Sequence, residues 1–127
     1  MKKELNKEEI IKQYIKSGEI MTEEIEKGKY RRFNREVDRN NKITEYLSHH
    51  LEIAKEILPI LLEEKNEQTR FLTAVNCLQL GIYIEKAEKM LEEISKNSKE
   101  PITRFDAKMT IERWKNKDKS FIIYHNE

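Results

Sequence analysis

Apolar residues recur three and four positions apart along most of the chain, the period of amphipathic helices. Ile10, Ile11, Tyr14 and Ile15 predict a first helix, with Asn6 as its cap and Glu8 and Glu9 in a first turn where carboxylates complement the helix dipole. Gly18 weakens that helix, so a second short one carrying Ile20, Met21 and Ile25 is expected near Thr22, stopping at Gly28. Residues 29–50 then read as one long helix. Tyr30, Phe33, Val37, Thr44 and Leu47 fall close to one face of it, and Arg31, Arg35 and Arg39 follow one another at i, i+4 on the opposite face.

Two consecutive blocks organise the rest. Residues 54–80 and 87–114 both open on an Ala-led apolar turn, pass through a polar break and restart at Thr-Arg-Phe: Thr69-Arg70-Phe71 and Thr103-Arg104-Phe105. The offset is 33 residues before the break and 34 after it, within the range of stacked helical-hairpin repeats. In the first block Ile53, Ala54, Ile57, Leu58 and Leu61 share a helix that Pro59 should kink or restart. A bend over residues 63–68 follows, with Asn66 or Thr69 as cap, and the next helix is expected to bury Phe71, Ala74, Val75 and Leu78 before ending at Gly81. In the second block Ala87, Met90, Leu91 and Ile94 fill one helix, and residues 97–100 form the bend. Pro101 suits a first helical position, and Ile102, Phe105, Met109, Ile111 and Trp114 are expected to close the stack. The run Phe121-Ile122-Ile123-Tyr124 predicts a short strand or an extended anchor across the last helix.

Composition supports a helical chain: of 127 residues 39% are charged, with three glycines and two prolines. The net charge of +1 supplies no global field toward nucleic acid or anionic lipid, yet the charge is polarised. Residues 29–44 hold six basic and two acidic side chains, and residues 45–68 two basic and six acidic. No apolar run is long enough to cross a bilayer, and the lone Cys77 allows no intramolecular disulfide, so a cytoplasmic protein is expected.

Little in the sequence suggests chemistry. His49 and His50 are adjacent, hence about 100° apart on a helix and unable to chelate from one face. Glu45 and Glu52 lie within a turn of His49, where a surface pair is favoured over a metal ligand set, and His125 in the tail is expected to be solvated. There is no nucleophile elbow and no glycine-rich phosphate loop. Asp106 is expected to pair with Arg70 or Arg104, and no cofactor or metal is implied.

The run Ala87-Glu88-Lys89-Met90-Leu91-Glu92-Glu93-Ile94, then Phe105-Asp106-Ala107-Lys108-Met109-Thr110 and Trp114-Lys115, resembles the C-terminal half of a small bacterial family of unknown function with HEAT-like repeats. Leu58-Pro59-Ile60-Leu61 and residues 70–74 resemble that family's first repeat, and Lys29-Tyr30-Arg31 its leading helix. Where the family has Gly soon after Trp-Lys, this chain has Asn116. The resemblance implies a packing scaffold without catalytic residues, and an association with immunity proteins that neutralise bacterial toxins.

The expectation is therefore one all-α domain, a right-handed HEAT-like stack. Residues 1–50 form an N-terminal helical cap, 51–81 and 82–115 two hairpins, and 116–127 a tail. Its expected role is a non-catalytic, immunity-type interaction module. Arg31, Arg35 and Arg39 would meet an acidic patch of a toxin domain, and Glu63, Glu64 and Glu67 at the inter-helix bend a basic one. The alternative is a nucleic-acid-associated repeat protein using the arginine row, which the neighbouring acidic segment opposes. Whether the chain is a monomer or a homodimer is open at this level.

Overall fold

Capping and closing residues set the helix limits. In the computed structural model, which describes residues 5–124, Asn6 accepts a hydrogen bond from the Glu9 N–H while the Glu9 carboxylate accepts from the Asn6 N–H, a reciprocal cap that starts α1 (Lys7–Lys27). Gly28 ends α1 at φ 68°, a conformation favourable only without a Cβ. Then come α2 (Arg31–Ser48), α3 (Leu51–Leu61), α4 (Glu67–Leu80), α5 (Ile84–Asn97) and α6 (Pro101–Lys115). Among the described residues there is no strand, so the chain is all-α. His125 and the first four residues lie outside the described residues.

α1 is unbroken, contrary to the two short helices expected. Gly18 costs about 1 kcal/mol of helix propensity, and tertiary packing accounts for its place there. A Cβ on it would lie 1.9 Å from Thr69 Oγ1 on α4. The Thr69 hydroxyl in turn donates to the Tyr14 carbonyl at 3.3 Å, so α1 and α4 cross with their backbones close.

Pro59 likewise sits inside α3 without ending it. A helical proline leaves the carbonyl four residues earlier without its donor, here Lys55. The Tyr83 hydroxyl supplies the missing bond, donating to the Lys55 carbonyl at 2.7 Å. Tyr83 itself occupies the left-handed region at φ 51° in the link between α4 and α5.

α4 is the central helix. It packs along α1 and α5, touches α2, α3 and α6, and buries ten of its fourteen residues. α5 packs extensively on α6, whereas α3 makes slighter contact with α4. One cluster of buried side chains joins all six helices, from Ile10 and Tyr14 through Leu47, Leu58, Leu78 and Leu91 to Ala107.

The edge helix departs from expectation. α6 buries only Thr103 and Ala107; Ile102 and Phe105 are exposed, Phe105 by 57%, because no further helix among the described residues covers them. Beyond α6 the described residues form no strand. The chain turns back to the end of α4, where the Tyr124 N–H donates to the Gln79 carbonyl at 2.8 Å and Phe121 is half-buried. The tail is thus anchored on the end of α4, with Phe121 and Ile122 beside Arg113 and Trp114 of α6.

Candidate functional site: a groove floored by three equivalent helix faces

The two Thr-Arg-Phe motifs build the same local device. Arg70 Nη1 donates to the carbonyls of Glu64 and Lys65, each at 2.8 Å, and Arg104 Nη1 donates to the Ser98 carbonyl at 2.6 Å. In each block the guanidinium reaches the carbonyl six residues earlier, tying the bend to the helix that follows it. Neither arginine pairs with Asp106, which makes no ion pair among the described residues. That expected pairing is replaced by carbonyl caps: Arg70 lies on another helix from Asp106, and Arg104, two residues before it on α6, projects about 200° around the helix from it.

Once the arginine is held, the following phenylalanine points to a shared concavity. Phe71, Val75 and Gln79 of α4, at successive i, i+4 steps, line a groove of about 320 Å³. Phe105, Met109 and Arg113 of α6 line it in the same order. So do Phe33, Val37 and Asn41 of α2. Each triplet starts with an Arg-Phe pair, Arg32-Phe33 being the third. This third occurrence was the legible signal that a two-block comparison misses, since its offset from Phe71 is 38 residues rather than 33 or 34. The groove therefore presents one apolar stripe from each of α2, α4 and α6, with Ser120, Phe121 and Ile122 of the tail at its border.

Polar groups under the groove hold its helices in place. The buried Tyr14 hydroxyl donates to Asn76 Oδ1, and Asn76 Nδ2 donates to Asn40 Oδ1 and Gln79 Oε1, both at 3.0 Å. Asn40 and Gln79 also line the groove, so a network joining α1, α2 and α4 surfaces there. Nearby, the Ser17 hydroxyl donates to the buried Glu36 carboxylate at 2.6 Å. Among the described residues no buried side-chain polar atom lacks a partner. Burial pushes the Tyr14 hydroxyl far above its ordinary range, and the half-buried Asp106 carboxyl is raised by desolvation, an effect that Arg113 opposes. The Cys77 thiol is raised by burial to about 12, so it stays protonated as a packing group.

The charged residues singled out from sequence lie elsewhere. Arg31 and Arg35 stand about 200° around α2 from Phe33, and both are exposed with no ion pair among the described residues. Arg39 lies 3.5 Å from Glu36. Arg32 is drawn to α1: its Nη1 lies 3.3 Å from Glu23 and 3.7 Å from Glu24, while its backbone N–H donates to Glu24. A buried carboxylate from one helix thus caps the start of the next. Glu63, Glu64 and Glu67 come together around the turn between α3 and α4. Glu63 is exposed, Glu64 is half-buried, and the Glu67 carboxylate accepts from the Ser98 hydroxyl at 2.7 Å, joining the two bends.

His49 and His50 join no ligand set among the described residues. His49 ends α2, and His50 stacks on the Tyr46 ring, with centroids 4.0 Å apart. Among the described residues no trio of His, Cys, Asp and Glu converges. No helix is long and apolar enough to cross a membrane. No protein-family model, curated protein or solved structure matches the chain.

Proposed function

We propose that the chain is a non-catalytic protein-recognition module, a right-handed HEAT-like stack whose groove holds an apolar segment of a partner protein. The observation that carries it is the threefold line of Phe33 and Val37, Phe71 and Val75, and Phe105 and Met109 around one concavity, left partly open to water. An exposed phenylalanine in a groove is the kind of surface that protein partners cover, and large buried aromatic anchors contribute most of the energy of such contacts. The shared Arg-Phe pattern of α2, α4 and α6 supports a stack in which every second helix faces inward. In its most concrete form the partner is a toxin domain of the same cell and the module an immunity-type inhibitor. The resemblance of residues 29–115 to a HEAT-like family supports that form.

A photo-crosslinking phenylalanine analogue at position 105, compared with one at exposed position 60 on α3, tests the groove in the native host. A single protein species trapped from position 105 and lost in Phe33→Asp supports the proposal. Equal trapping from both positions removes it. For the inhibitor form, the intact gene should protect cells expressing the trapped partner and Phe105→Asp should not; protection by neither, or by both, refutes it. Nucleic acid is the second possibility, favoured by the unpaired Arg31 and Arg35. Salt-sensitive duplex binding lost in Arg31→Ala/Arg35→Ala would establish it.

A further inference from the structure

We propose that the cleft between α1 and α2 is a second binding site, for an acidic amphipathic segment of a partner protein. Lys12 and Lys16 of α1 and Arg39 and Lys42 of α2 surround a cavity of about 470 Å³, although α1 contributes its pair some 25 residues earlier in the chain. None of the three lysines makes an ion pair among the described residues, and Arg39, although 3.5 Å from the buried Glu36 carboxylate, keeps its side chain 43% exposed. The one carboxylate in the lining, Glu9, accepts the Asn6 N–H and belongs to the cap of α1. Four cations around one cavity repel one another, and an anionic occupant relieves that repulsion.

The floor selects among anions. Ile10 and Ile43 lie beneath the cations and are only 1% and 8% exposed, so the apolar surface is recessed and the charge stands at the rim. A membrane-binding face has the reverse relief, with apolar side chains projecting past the cations into the acyl layer. A single-stranded nucleic acid calls for aromatic platforms on which bases stack, and this lining has none. An acidic helix or strand with aliphatic side chains between its carboxylates fits both layers: the aliphatic group enters and the carboxylates meet the rim. Because the rim is exposed, these pairs mainly speed association and fix orientation, and they weaken as salt rises. Arg35, one turn before Arg39 and free of ion pairs among the described residues, continues the rim along α2. The cleft shares no lining residue with the groove of α2, α4 and α6, so the two sites can fail separately.

The probe is a fluorescein-labelled amphipathic peptide built of Glu and Leu, followed by fluorescence polarisation at low and high salt. The full chain is expected to bind it, with affinity falling about tenfold or more in Lys12→Glu/Lys42→Glu and staying unchanged in Phe105→Asp. Replacing Leu by Gln in the peptide should weaken binding as well. The milder pair Lys12→Gln/Lys42→Gln, with coincident thermal melts, separates lost charge from lost fold. The site is refuted if the wild-type chain does not bind at low salt, if the charge-reversed variant binds equally, or if the Gln peptide binds as well as the Leu one. Tighter binding to a single-stranded oligonucleotide, or to phosphatidylcholine vesicles containing phosphatidylglycerol, would likewise overturn it in favour of those ligands.

Discussion

α4 and α6 both carry Thr-Arg-Phe at their third to fifth positions and the same kind of arginine cap, yet one is the buried axis of the molecule and the other its open edge. α4 lies between α1 and α5, so even Thr73, Asn76 and Gln79 are covered. α6 packs on α5 and only touches α4 among the described residues, and its phenylalanine is mostly open to water. A local motif decides where a helix starts and which way its side chains project. The number of neighbours decides what those side chains are worth.

The sharpest way to break this contrast is to truncate one apolar residue from each helix. Leu78→Ala should cost about 2–5 kcal/mol, because truncating a fully buried leucine leaves a cavity in the core. Phe105→Ala should change stability by less than about 0.5 kcal/mol, as exposed substitutions usually do. Urea denaturation of the two variants measures both, and equal losses would mean that α6 is not an open edge.

Next in size is the crossing of α1 with α4. Gly18→Ala would drive a methyl group into Thr69, and overpacking of this kind costs about 1–3 kcal/mol despite the better helix propensity of alanine. Pairing it with Thr69→Ala should recover part of the loss, and no recovery would place the strain elsewhere. The shared caps come third. Arg70→Ala and Arg104→Ala should each cost about 1–2 kcal/mol, with Arg70 the larger because it serves two carbonyls. The opposite order in thermal melts would show that the two bends are not built alike.

The last effect is the most specific. Tyr83→Phe should cost about 1 kcal/mol by orphaning the Lys55 carbonyl. In a Pro59→Ala background residue 59 regains an N–H for that carbonyl, so the same substitution should cost less. A double-mutant cycle with no coupling would sever the link between proline and tyrosine.

The cap at Asn6, the stops at Gly28 and Gly81, a cap at Asn66 or Thr69 and Pro101 at a first helical position were legible in the sequence, as were most core positions of α3 and α5; in α4 Ala74 and Leu78 are buried as expected, whereas Phe71 and Val75 are only half-buried. These depend on hydrogen bonds and side-chain spacing within one or two turns, which neighbouring residues specify among themselves. The recurrence of Thr-Arg-Phe was legible as well, and its two arginines proved structurally alike.

What only the tertiary structure decided involves partners far apart in the chain. Gly18 stays helical because α4 crosses it, and Pro59 because Tyr83 reaches back to Lys55. Phe105 stays open because the chain provides no seventh helix among the described residues. The groove needs three helices side by side, and the basic cleft needs Lys12 and Lys16 brought beside Arg39 and Lys42. Sequence periodicity says which face of a helix is apolar, whereas only packing says what lies opposite that face, or whether anything does.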